Sequence, residues 1–131
     1  MANTSRQRKM TAFGKSALLT AIAASAMLEP QRLTIEELDG DVFVKRLTLG
    51  ERDQYFADMK EVTKQGGNGN VEAFVYAILT EDGQPMFTLD DVDIIKSLPP
   101  GLTTTVLHEF NKINRFIAAD NDVEGSDLKN S

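Results

Sequence analysis

The chain has 131 residues, no cysteine, one histidine and a net charge of −6. That length supports one domain with a modest core. The missing thiols exclude a disulfide framework, a thiolate metal site and a cysteine nucleophile.

The charge is unevenly spread. Residues 1–28 carry Arg6, Arg8, Lys9 and Lys15 and no acid, whereas residues 29–131 hold all 20 acids and the other basic residues. The body is therefore about −10 and the arm +4. An acidic body repels phosphates and suits a basic partner.

In chain order, residues 1–28 read as a basic N-terminal arm that ends in an amphipathic helix. The helix is predicted from about Ser16 to Leu28, with Leu18, Ile22 and Ala26 four residues apart on one face. A basic start before an apolar run also fits an export signal, and Ala24-Ser25-Ala26 resembles a cleavage site. Against export, the run is alanine-rich, starts late and is interrupted by Thr20 and Ser25. It also falls short of the ~20 apolar residues that a membrane span requires. Glu29-Pro30 ends the helix, because proline forces its predecessor out of the helical region.

Residues 29–118 read as the folded domain. Thr34–Leu38 suggests a short turn of helix closed by Asp39-Gly40, and Asp41–Leu47 reads as one strand. Thr48 and Glu51 form a capping box for a helix whose apolar stripe is Tyr55, Phe56, Met59 and Val62. Lys60 and Lys64 suit its C-terminal end. After the loop Gly66–Asn70, Asn70 caps a helix with Val71, Phe74, Val75 and Ile78 inward and Tyr76 and Leu79 widening that face, the expected centre of the core. Glu81–Pro85 is a turn. Thr88 and Asp91 then cap a helix with Val92, Ile94, Ile95 and Leu98 inward, ended by Pro99-Pro100-Gly101.

The last helix carries Leu102, Val106, Phe110, Ile113 and Ile117 within an arc of about 80°. Leu107 and Phe116 flank that arc. Residues 119–131 form an acidic tail, with Asp120, Asp122, Glu124 and Asp127, that is expected to be disordered. The predicted fold class is mainly α: a small helical domain with one short strand, a basic helical arm and an acidic tail.

Residues that could carry chemistry are few. His108 lacks the partners that a zinc site or a serine triad needs, and reads as a solvated surface residue. Asp90, Asp91 and Asp93 lack the glycine-containing turn of a calcium loop and sit where a helix dipole favours acids. Gly66–Asn70 lacks the lysine of a phosphate loop. No catalytic, cofactor or metal residue is assigned, and the chain is expected not to be an enzyme. The basic arm leaves a DNA-associated regulator open as the alternative, although the charge of the body opposes it.

Two stretches carry a resemblance. Val42 to Asp53, VFVKRLTLGERD, is similar to the strand-then-helix start of tail assembly chaperones from long-tailed, siphovirus-type bacteriophages. Ala77 to Asp91, AILTEDGQPMFTLDD, resembles that family's helix, Asp-Gly turn and following acidic helix, and Leu107–Asn114 resembles its closing helix. The resemblance covers residues 42–117.

It implies a helical protein that binds the tape measure protein, oligomerises around it and promotes tail tube assembly. It implies work in the host cytoplasm and absence from the finished virion. It further implies a longer form, made by −1 ribosomal frameshifting, whose extension engages the tail tube protein. Lys129-Asn130 can be encoded by the slippery heptamer A-AAA-AAC if the Leu128 codon ends in A. Candidate partner-binding residues are Leu18, Ile22 and Leu28 on the arm, then exposed members of Tyr55, Phe56 and Met59.

Overall fold

The computed structural model describes residues 12–116. Arg6, Arg8, Lys9, Ile117, the acidic tail and the Leu128–Asn130 frameshift candidate lie outside the described residues. Among the described residues, five helices and three strands are arranged in the order α1 (Lys15–Ala24), β1 (Gln31–Ile35), β2 (Gly40–Val44), α2 (Leu49–Lys64), α3 (Asn70–Ala77), β3 (Ile78–Leu79), α4 (Val92–Lys96) and α5 (Pro100–Ile113). Helix dominates, as expected, but the single expected strand is corrected to a three-stranded antiparallel sheet of order β1-β2-β3.

Two segments account for the difference. Thr34 and Ile35, expected in a helical turn, extend β1, and only Glu36–Leu38 winds into a short 3₁₀ turn. Asp39 closes that turn in the left-handed region at φ 55°. The register pairs Gln31 with Val44, Leu33 with Val42 and Ile35 with Gly40 on one face, and Arg32 with Phe43 and Thr34 with Asp41 on the other. The outer face is held by side chains: Arg32 contacts the Asp41 carboxylate at 2.6 Å, and Thr34 Oγ1 donates to Asp41 Oδ1 at 2.8 Å. The Arg32 guanidinium also lies over the Phe43 ring, 5.0 Å from its centroid.

The second segment is Ile78-Leu79. Expected as the last turn of a helix, it leaves α3 and pairs with Val44 and Phe43. β-branched Ile78 accepts the extended backbone readily. Pairing of β2 extends past its end, since Lys45 N–H donates to the Ala77 carbonyl at 2.9 Å.

The core lies where the inner sheet face meets α2, α3 and α5. Val44, Phe74, Ala77, Val106 and Phe110 are fully buried there. Full burial of a Val or Phe side chain contributes roughly 1.5–3 kcal/mol.

The Thr48–Glu51 capping box is present as expected: Glu51 N–H donates to Thr48 Oγ1 at 3.1 Å and Thr48 N–H to Glu51 Oε1 at 2.9 Å. At α3 the cap shifts by one residue. Gly69, not Asn70, is the cap, in the left-handed region at φ 79°. A Cβ there would sit 2.1 Å from Met59 Cε, so the end of the Met59 side chain would have to move, and the left-handed backbone favours glycine.

Thr88 and Asp91 cap as expected, but they open a 3₁₀ turn (Leu89–Asp91) that leads into the short α4. Ile95 points inward. Ile94, expected inward, is exposed. The last helix ends sooner than its apolar period suggests. Arg115 adopts φ 70°, and Phe116 stacks on Tyr55 at 5.8 Å.

Candidate functional site

Three surfaces stand out. The first is α1 with the turn after it. None of its ten residues is buried. Leu18 and Leu19 are exposed on the helix and Met27 and Leu28 just beyond it. Ser25 stops the helix, with Oγ donating to the Ile22 carbonyl at 2.7 Å and accepting from Met27 N–H at 3.1 Å. Arg46 ties this segment to the body, with Nε donating to the Glu29 carbonyl at 2.9 Å and an Nη to Gln31 Oε1 at 2.5 Å.

The second surface is centred on Phe56, which is 47% exposed at the edge of an aromatic cluster. Phe116 lies 5.0 Å from its ring and the Arg52 guanidinium 5.8 Å. Its neighbour Tyr55 is 7% exposed and belongs to the core, contacting Tyr76, Phe110 and Phe116 edge-on or stacked. Burial raises the pKa of the Tyr55 phenol.

The third is a groove of about 440 Å³ where the start of α2 meets the end of α5. Among the described residues, Arg46, Arg52 and Arg115 line it with Met27, Leu49 and Asn114, and no carboxylate does. Asn114 shapes the floor: its side chain donates to the Lys45 carbonyl at 3.0 Å and accepts from Leu47 N–H at 2.8 Å. Beside the groove, Lys45 Nζ lies 3.5 Å from Glu51, whose pKa is lowered by its hydrogen bond from the Thr48 backbone and by Lys45.

None of these surfaces joins a nucleophile to a base. Among the described residues no group of three or more His, Cys, Asp or Glu is placed to hold a metal ion. Asp91 is engaged as a cap, and His108 is exposed on α5. Among the described residues, no helix is long and apolar enough to cross a membrane.

The phage tail assembly chaperone family model matches residues 16–114, most of the chain and nearly all of its described part. The chain belongs to that family. Against solved structures, the chaperone is similar to the tail assembly chaperone of bacteriophage HK97, with 17% identity and a TM-score of 0.48 over 75% of this chain and 94% of that one. No curated protein matches it.

The candidate residues of this chaperone fall into separate groups. Leu18 and Leu28 are exposed and Ile22 is half-buried, all on the α1 segment. Of the α2 group, Phe56 is the exposed member, while Tyr55 and half-buried Met59 pack into the body. Sequence reasoning passed over Leu19, Met27 and the three arginines of the groove. Arg46 and Arg52 flank the capping box and had that signal. Arg115 had none, because its place depends on where α5 stops.

Proposed function

We propose that this chaperone holds the phage tape measure protein, a long helical client, in soluble form, self-associates around it and promotes assembly of the tail tube. The observation that carries the reading is α1: a ten-residue helix with no buried side chain. Isolated helices of that length are marginal in water, so α1 draws its stability from a surface it covers. Leu18, Leu19 and Leu28 supply apolar contacts of the kind that grip an amphipathic helix. Phe56 offers a second anchor on the body.

Family membership supports the assembly role. Delivery of tail tube subunits through a frameshifted extension belongs to this same reading.

The test is co-expression with the tape measure protein of the same phage. Wild type keeps the client in the soluble fraction, whereas Leu18→Asp with Leu19→Asp lets it precipitate. A client that precipitates equally with wild type overturns the reading. So does a double variant that protects it as well as wild type.

A further inference from the structure

The groove between α2 and α5 is unusual in its charge. Arg46, Arg52 and Arg115 meet there with no carboxylate among the described residues that line it, in a chain of net charge −6. None of the three forms an ion pair among the described residues. Arg52 Nε is buried and finds no hydrogen-bond partner among them. Arg46 is held in place by Glu29 and Gln31. Exposed Met27 and Leu49 add an apolar rim. Such a site fits a segment that combines carboxylates with large apolar side chains.

The described surface of the same chain contains that combination. Along Leu89–Ile94, Leu89 is 57% and Ile94 53% exposed, with Asp90 and Asp93 exposed between them. Asp91 is spent on the Thr88 cap, which fixes the shape of the segment. Groove and edge share no residue, so both can be occupied at once.

We infer that the arginine groove of one copy receives the Leu89–Ile94 edge of a second copy, with Asp90 and Asp93 facing Arg46, Arg52 and Arg115 and with Leu89 and Ile94 against Met27 and Leu49. This contact is heterologous, so repetition builds a ring if the rotation closes and a filament if it does not. It rests on the self-association part of the proposed function and names the surfaces that would produce it. One edge in one groove is a small interface, so assembly depends on concentration. Charge pairing at its rim makes it weaken as salt rises.

The test uses sedimentation velocity of the full chain with two single variants at exposed positions, Arg115→Glu in the groove and Asp93→Arg on the edge. Wild type is expected to form species beyond a dimer at low salt and to dissociate at high salt. Each variant alone, with the circular dichroism of wild type, is expected to associate at least tenfold more weakly. An equimolar mixture retains one intact groove and one intact edge, and its two reversed charges are themselves complementary, so association returns. If either charge reversal unfolds the chain, Arg115→Gln and Asp93→Asn are used, whose mixture is expected to form a heterodimer and nothing larger.

A monomeric wild type overturns the inference, as does a mixture that stays monomeric or a variant that assembles like wild type. Loss of assembly on converting Asp120, Asp122, Glu124 and Asp127 to amides would assign the groove to the acidic C-terminal segment instead and overturn it too. Client solubility is read separately, so a wild type that stays monomeric yet protects its client ends this interface and leaves client binding standing.

Discussion

Asn114 and Leu47, 67 positions apart, are joined by a hydrogen bond from the Leu47 backbone N–H to Asn114 Oδ1 at 2.8 Å. The same amide donates to the Lys45 carbonyl at 3.0 Å and to the Phe110 carbonyl at 3.0 Å. It therefore stands in for a neighbouring strand where β2 runs out of partners, and it also closes the last turn of α5. All three contacts are partly buried, so their loss strands polar groups that water reaches poorly.

Asn114→Leu removes both donor and acceptor and leaves the Lys45 carbonyl and Leu47 N–H unpaired. The expected loss is about 2 kcal/mol, from a desolvation penalty of roughly 1–3 kcal/mol per stranded group that partial exposure reduces. Asn114→Asp keeps the acceptor for Leu47 but sets a carboxylate against two carbonyls. It should be at least as destabilising near neutral pH and recover in part on acidification. Urea denaturation of the three proteins checks both statements. Equal midpoints for Asn114→Leu and wild type would show the clamp to be inert.

Gly69 gives a second stability prediction. Its φ of 79° and the 2.1 Å approach of Met59 Cε to a Cβ position act separately. Gly69→Ala should destabilise by about 2–3 kcal/mol, of which roughly 1–2 kcal/mol is the left-handed backbone. In the background of Met59→Ala the clash disappears and only the backbone part remains. A double-mutant cycle by thermal denaturation separates the two. A cost for Gly69→Ala that is unchanged when Met59 is shortened would mean that the Met59 side chain moves aside freely.

Much of this architecture could be read from short-range signals. Thr48 with Glu51, and Thr88 with Asp91, announce their helix starts because a cap and its reciprocal partner lie three residues apart. The buried positions of α5, Val106 and Phe110, reflect a four-residue repeat. The features that sequence missed depend on distant partners. Glu36, Glu37 and Leu38 are good helix formers, and they masked the period-two alternation of Gln31, Leu33 and Ile35 against Arg32 and Thr34. Ile78 and Leu79 continue the apolar period of α3, yet the Val44 and Phe43 backbone captures them as a strand. The groove was invisible for the same reason: Arg52 and Arg115 come together only once α5 stops at Ile113.

The pH dependence of stability arises from two carboxylates. Asp41 is lowered by hydrogen bonds from Thr34 and Arg32, and Glu51 by its hydrogen bond from the Thr48 backbone, with Lys45 adding to it. A lowered folded-state pKa stabilises the fold above the unfolded-state value and ceases to do so as pH falls through the folded-state value. Both contributions are therefore present at neutral pH and fade below about pH 4, the ordinary range for Asp and Glu. Glu51→Gln should be less stable than wild type at pH 7, and the gap should narrow on acidification. Thr48→Ala removes the other half of the box and should cost about 1 kcal/mol at neutral pH. Chemical denaturation across pH checks this; a gap for Glu51→Gln that widens toward acid would reverse the sign.

The last prediction separates folding from function on α1. Because Leu18 and Leu19 are exposed on α1, the body does not depend on either. Leu18→Asp with Leu19→Asp should change the melting free energy by no more than about 0.5 kcal/mol, as for other exposed positions, while removing protection of the client. Phe56→Ala differs in kind. Phe56 packs against Phe116 and Arg52 at the edge of the core, so truncation should lower both client protection and stability, the latter by about 1 kcal/mol. Melting curves and client solubility measured on the same preparations give the split. Were the α1 pair to melt well below wild type, α1 would be part of the fold, and its exposed leucines could not be reserved for a partner.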